Sequence, residues 1–179
     1  IMATGIATLS VVPSLMAAYA FVYFRIKYAS LFFWLIFITL LVPLELRIMP
    51  SYLVMSKLGL VNSYIGLILP ISASAIATFF FRQFYKSIPD ELLEAAKLDG
   101  TGSWKFFIDF LIPLSKTMIA AVFIFMFVFG YNQYLWPLIM TTTEQYWTVV
   151  MGLKTMYGSI SDRFAFVIMS MVPPVIIII

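Results

Sequence analysis

Three groups of residues have types and spacings that could do chemistry. Between Glu91 and Gly100, Leu92, Leu93, Ala95 and Ala96 recur at helical spacing beside Glu91, Glu94 and Lys97. That pattern predicts a small, flat apolar stripe bordered by charge, on which a partner could sit. Further on, Asn132 and Gln133 stand among Phe127, Phe129, Tyr131, Tyr134 and Trp136. Amides at membrane depth face protein or a water-filled cavity, and aromatics beside amides suit a polyol or sugar. The same residues would also serve as interhelical glue with an interfacial aromatic belt, and both readings stand. Arg47 offers a planar fork to phosphate oxygens, with Glu45 two residues away as an internal neutraliser. Ser72, Ser74 and Thr78 could line a pathway or pack helices, and packing is the expectation.

The chain has no Cys and no His, which removes disulfides, thiolate nucleophiles, the commonest metal ligand and the usual general base. No metal or cofactor is expected, and an enzyme is disfavoured. The elements that must position the candidate residues are membrane helices. Of 179 residues, 63% are hydrophobic and 11% charged, with a mean hydropathy of +1.04, whereas a soluble domain carries about 25% charged residues. Uncharged runs at 1–24, 28–44, 58–81 and 117–143, with an apolar tail at 164–179, match the roughly 17–25 residues of a spanning helix. The fold class is therefore all-α, a polytopic transmembrane helical bundle forming one domain over 1–179. Pro13 kinks the first helix, Pro43 ends the second, and Gly66 and Pro70 break the third. Both ends read as cut, so we expect a fragment. No acid lies inside the four runs, which argues against a proton-coupled carrier.

Polar segments separate the runs. Residues 45–57 and 141–163 lie on one side; 25–27 and 82–116 lie on the other, the latter carrying more than half of all charges. Seven of the 11 basic residues fall in 25–27 and 82–116, which makes those loops cytoplasmic. The net charge of +3 is thereby explained without a nucleic-acid partner. Within 82–116 two short helices are expected. Ser87 would cap the first, with Pro89 in its first turn, Asp90 and Glu91 at the positive end of its dipole, and Gly100 in the left-handed position after its end. Ser103 would cap the second, whose aromatics Trp104, Phe106, Phe107 and Phe110 return to the membrane surface before Pro113 ends or bends it.

Glu94-Ala95-Ala96-Lys97-Leu98-Asp99-Gly100, followed by Phe106-Phe107 and Leu111-Ile112-Pro113-Leu114, resembles the EAA motif of the membrane subunits of ATP-binding-cassette (ABC) importers. Phe81-Arg82-Gln83-Phe84 through Ile88-Pro89 and Tyr131-Asn132-Gln133-Tyr134-Leu135-Trp136-Pro137-Leu138 resemble the flanking stretches in permeases of the carbohydrate-uptake type. Phe32-Phe33-Trp34 to Pro43-Leu44-Glu45-Leu46-Arg47-Ile48 and Tyr64-Ile65-Gly66-Leu67 look most like membrane subunits of importers for sn-glycerol-3-phosphate.

The resemblance implies a type I importer permease fold, here about five helices of a six-helix family pattern, in a bacterial inner membrane. It implies a coupling role for Glu94, Ala95, Ala96, Asp99 and Gly100, which would dock on cytoplasmic ATP-binding subunits. Asn132, Gln133, Tyr134, Trp136 and Arg47 are the substrate-pathway candidates. The other implied partners are a second permease subunit, an external substrate-binding protein and membrane lipid. The chain has no Gly-x-x-x-x-Gly-Lys phosphate loop, so ATP hydrolysis is expected on another subunit. The expected function is ATP-driven translocation of sn-glycerol-3-phosphate or a related small carbohydrate by alternating access. A maltose-like sugar is the alternative substrate, and an ATP-independent channel or secondary carrier the alternative class.

Overall fold

The computed structural model describes residues 1–155 and 160–178, and the described residues are helices joined by short turns. The helices are α1 (Met2–Tyr23), α2 (Ala29–Ile38, continued by a 3-10 turn Thr39–Leu41), α3 (Leu44–Lys57), α4 (Tyr64–Ser72), α5 (Ala75–Lys86) and α6 (Asp90–Leu98). After these come α7 (Ser103–Phe106), a π turn (Phe107–Leu111), α8 (Ile112–Leu114), α9 (Lys116–Tyr131), α10 (Leu135–Met140), α11 (Val149–Thr155) and α12 (Ile160–Ile178). By itself α1 is long and apolar enough to cross a membrane, and up to four spans result if each broken helix pair counts as one. Residues 156–159, in the middle of the expected second excursion, and Ile179, at the end of the last expected helix, lie outside the described residues.

Several expected boundaries move, each for a local reason. The third expected helix starts at Tyr64 rather than Leu58, because Gly59 and Asn62 take positive φ of 69° and 56° and Ser63 caps α4 by accepting from Gly66 N at 3.0 Å. Gly66 and Pro70 both lie inside α4, and the chain breaks instead at Ala73–Ser74. There Ser74 caps α5 by accepting from Ala77 N at 3.2 Å. The fourth expected helix stops at Tyr131, and residues 132–134 are non-helical. Pro137 has no N–H to give to the Gln133 carbonyl and its ring crowds that turn, and here the helix breaks.

The chain divides into two compact units. The first, residues 1–9, 42–73 and 124–179, is braced across its loops. Asn62 Nδ2 donates to Thr142 Oγ1 at 2.8 Å, and Thr142 N donates to Asn62 Oδ1 at 2.7 Å. Asn62 N donates to Met140 O at 3.0 Å. The left-handed backbone of Asn62 aims its amide at Thr142, a conformation that asparagine tolerates better than bulkier residues. Trp136 Nε1 donates to Leu67 O at 3.2 Å, tying α10 to α4, and the Tyr131 hydroxyl donates to Ser170 O.

The second unit, residues 10–41 and 74–123, packs α1 against α5 through small polar residues, as membrane helices do where lipid supplies no hydrophobic drive between them. Thr78 Oγ1 donates to Ser14 Oγ at 3.1 Å, and Ser14 Oγ donates to Ser74 O at 3.4 Å. The expected packing role of Ser74 and Thr78 is what this pairing performs. Phe21 and Phe33 meet edge to face at 6.0 Å, so α1 and α2 are neighbours, as their short connection requires. The Arg82 guanidinium lies 3.9 Å from the Phe33 ring centroid, a cation–π contact that lets this cation sit half-buried on α5.

Candidate functional site: the Asp90–Ser115 segment

Glu94 to Gly100 lie in a polar segment built of short helices with defined ends. Pro89 occupies the N-cap of α6 rather than its first turn, and Ser87 does not cap α6. Ser87 terminates α5, where its hydroxyl donates to Phe84 O at 2.7 Å. The C-terminal expectation holds in detail. Gly100 has φ +70°, its N–H donates to Lys97 O at 3.0 Å, and the Thr101 N–H donates to Ala96 O at 2.9 Å. These two bonds close a Schellman motif, which fixes the end of α6 and the direction in which the chain leaves it.

The faces of α6 differ from the single stripe expected. Glu91, Glu94, Ala95 and Leu98 recur at i, i+3, i+4 and i+7 and are all exposed, Leu98 at 89%. Ala96 points the other way and is 3% exposed. The outward face thus pairs two carboxylates with a small and a large apolar residue, while Ala96 seats the helix on the protein. Leu98 was missed by sequence reasoning. Its signal was there to find, because it lies one turn past Glu94 and Ala95 on their own face.

Beyond Gly100 the chain packs against α1 within the second unit. Gly102, not Ser103, is the N-cap of α7, and Ser103 is its first residue. Tyr19 Oη on α1 donates to Ser103 O at 2.8 Å, and its ring lies 4.9 Å from Phe107. Tyr23 contacts Phe106 at 5.6 Å and Tyr85 at 6.1 Å. Phe106, Phe107, Leu111 and Tyr85 are all buried, whereas Trp104 and Phe110 are exposed. The aromatics therefore divide between a core and an outer surface instead of all returning to the membrane surface. The π turn at Phe107–Leu111 sits just before Pro113, which has no N–H for the Asp109 carbonyl, and widened turns form where the i→i−4 ladder is interrupted. Ser115 N then bonds both Leu111 O and Ile112 O, at 2.9 and 3.1 Å, and α9 begins.

The two tyrosines at this joint should respond differently to loss of the hydroxyl. Tyr19 donates a hydrogen bond of ordinary geometry, whereas the hydroxyl of Tyr85, 1% exposed, makes none among the described residues, with the Ser115 side chain as its polar neighbour. Tyr19→Phe is expected to cost about 1 kcal/mol, and Tyr85→Phe to be neutral or stabilising because it removes a buried unsatisfied polar atom. Thermal unfolding of both variants in detergent checks this, and a larger loss for Tyr85→Phe would refute it.

The remaining candidates are spread through the first unit. Asn132 is exposed at the break after α9, Gln133 Nε2 donates to Phe129 O at 3.3 Å, and Tyr134 is half-buried. Trp136 is buried with its indole committed to Leu67 O. Arg47 and Glu45 are both exposed on α3. The structure groups Asn132 to Trp136 by their adjacency in the chain and sets Arg47 on a different helix.

A helical membrane protein with an ordered, capped polar loop is the class these features define. Residues 9–179 match the family described as binding-protein-dependent transport system inner membrane component, and the chain belongs to that family. Over an alignment of 184 positions that covers 99% of its length, it is 46% identical to the sn-glycerol-3-phosphate transport system permease protein UgpE of Yersinia pestis. To the protein of the same name from Brucella melitensis it is 44% identical over 185 residues. The chain spans 66% of the length of each of these relatives. Its fold is also that of a bacterial ABC transporter involved in the import of the acidic polysaccharide alginate, with a TM-score of 0.80 at 23% identity, covering 98% of this chain and 71% of that one. The expected permease fold and inner-membrane location are thereby established.

Proposed function

We propose that this chain is a permease subunit of an ATP-driven importer, translocating sn-glycerol-3-phosphate by alternating access. The observation that carries the proposal is 46% identity sustained over 99% of the chain to permeases of that substrate. On this reading the outward face of α6, Glu91, Glu94, Ala95 and Leu98, docks on a cytoplasmic ATP-binding subunit. Ala96, Asp99 and Gly100 hold that face at a fixed angle. Closure of two ATPases would push α6, and the Tyr19–Ser103 bond with the Tyr23–Phe106–Tyr85 cluster would pass the displacement to α1 and α5. A second permease subunit completes the pathway, and an external binding protein delivers the substrate. ATP hydrolysis resides on the ATPases, so this chain is not itself an enzyme.

The chemistry of the substrate assigns roles to the pathway candidates. The phosphate needs a cation, which Arg47 supplies, and the glycerol hydroxyls need amides, which Asn132 and Gln133 supply beside Tyr134. The test is uptake of labelled sn-glycerol-3-phosphate and of maltose into vesicles holding the full-length permease, its partner permease, the ATPases and the binding protein. ATP-dependent uptake of the phosphate ester alone is expected. Arg47→Gln is expected to lower that uptake about tenfold or more at limiting substrate, the worth of one charge-assisted hydrogen bond. Uptake of maltose instead would reassign the substrate, and flux without ATP would replace the importer with a channel or carrier.

A further inference from the structure

Asn132, Gln133 and Tyr134 span the break between α9 and α10, and both helices are fixed where they meet it. On the upstream side Gly130 lies so close to α1 that a Cβ there would stand 3.3 Å from Ala3 Cα and 3.1 Å from Ile6 Cδ1. Next to it, the Tyr131 hydroxyl is bonded to Ser170 O on α12. On the downstream side α10 is six residues long, and a helix this short is held by its tertiary contacts rather than by its own backbone bonds. It packs on both α3 and α4, and polar bonds tie it down at each end. At its start Trp136, 2% exposed, donates its indole N–H to Leu67 O at 3.2 Å. At its end Met140 O accepts from Asn62 N at 3.0 Å, and the Asn62 side chain exchanges two bonds with Thr142, at 2.8 and 2.7 Å. All of these contacts lie within the first unit.

The break is also where polar groups come free of the helix. Asn132 is exposed, and the Gln133 carbonyl receives nothing from Pro137, which has no N–H. Three residues held at both ends cannot reorient independently, so the directions of their amides follow from where α9 and α10 are anchored. The same short helix touches α3, on which Arg47 adjoins the buried Ile48. α10 is therefore the common support of both groups of pathway candidates.

Resting on the substrate pathway set out under the proposed function, we propose that Trp136 and Asn62 are its positioning residues. Neither contacts the substrate. Through α10 they set the direction in which the Asn132 and Gln133 amides meet the substrate hydroxyls, as supporting groups with locked surroundings do for a polar site.

The test is a double-mutant cycle in vesicles holding the full-length permease, its partner permease, the ATPases and the binding protein, with uptake normalised to inserted protein. Trp136→Phe keeps an aromatic ring and removes the N–H. Asn62→Gly keeps the left-handed backbone and the bond to Met140 O and removes the side-chain amide. Each is expected to lower sn-glycerol-3-phosphate uptake about fivefold, the worth of one neutral hydrogen bond. Amide exchange at residues 132–134 should quicken by a similar factor while exchange in α6 stays unchanged. Asn62→Asp, which still accepts from Thr142 N and tolerates the left-handed backbone, should retain most uptake. In a background of Asn132→Ala with Gln133→Ala, Trp136→Phe should lower uptake by less than about twofold further, because the groups it positions are gone. An undiminished fivefold loss in that background, as a purely stabilising role gives, would overturn the proposal, and so would unchanged exchange at 132–134. Wild-type uptake by the Asn132→Ala, Gln133→Ala variant would remove the pathway role of both amides and the proposal with it. If the vesicles import maltose and not the phosphate ester, the substrate assignment fails, and the same cycle read on maltose uptake decides the positioning roles.

Discussion

Gly100→Pro is expected to abolish ATP-driven uptake while leaving membrane insertion and basal ATP hydrolysis in place. Proline fixes φ near −65°, whereas Gly100 requires +70°, and proline has no N–H to give to Lys97 O. Both bonds of the Schellman motif depend on that geometry, so the end of α6 unwinds and Leu98 and Glu94 leave their common face. A backbone penalty of about 3 kcal/mol at one position corresponds to a loss of about 100-fold in the population of the docked geometry. Gly100→Asn, which tolerates a left-handed backbone, should retain most uptake. Glu94→Lys leaves the helix intact and reverses one charge of its outward face, so it should uncouple without unfolding. Uptake and ATPase rates measured in the same vesicles separate these outcomes, and wild-type uptake by both Gly100→Pro and Glu94→Lys would sink the coupling role of α6.

A second large effect is expected within the first unit. Gly66→Ala should destabilise the protein by about 2–3 kcal/mol, because a Cβ there runs into the Leu60 carbonyl oxygen and the Met140 methyl. The methionine end can move, but the Leu60 backbone cannot. Its carbonyl accepts from the Ser63 hydroxyl at 2.7 Å, and the same hydroxyl accepts from Gly66 N. Two residues on, Asn62 is clamped to Met140 and Thr142. Displacing Leu60 therefore disturbs the cap of α4 and the brace across the loops together. The expected drop in Tm is about 5–10 °C for a chain of this size. Gly102→Ala, where nothing lies within 4 Å, should stay within about 0.5 kcal/mol of wild type. If both variants melt alike, the close approach at Gly66 is not a constraint.

Much of the polar segment was legible from residues alone. Asp90, Glu91, Lys97 and Gly100 are end signals that act within one helical turn, and α6 runs from Asp90 to Leu98, between them. The alternative uses of Ser87 and Ser103 were not legible. Each is a competent cap, but Ser87 closes the preceding helix and Gly102 opens the following one, a competition between adjacent elements that neither residue type resolves. The breaks at Ala73–Ser74 and at 132–134 belong to the same class. Pro70 is accommodated within α4, whereas Pro137 forces a break four residues upstream, and the outcome depends on which neighbours satisfy the freed carbonyls.

By itself the sequence determined that this protein is a helical membrane component and where its polar loops fall. Apolar run length, charge placement and the φ demanded after α6 are properties of short stretches of chain, and they survive any arrangement of the rest. Tertiary structure alone decided which face of α6 stands free. Ala95 and Ala96 are chemically identical neighbours, yet one is exposed and the other buried, because burial depends on what lies opposite each residue. For the same reason only the packed structure showed that the Trp136 indole is committed to Leu67 O and that Tyr19 anchors Ser103.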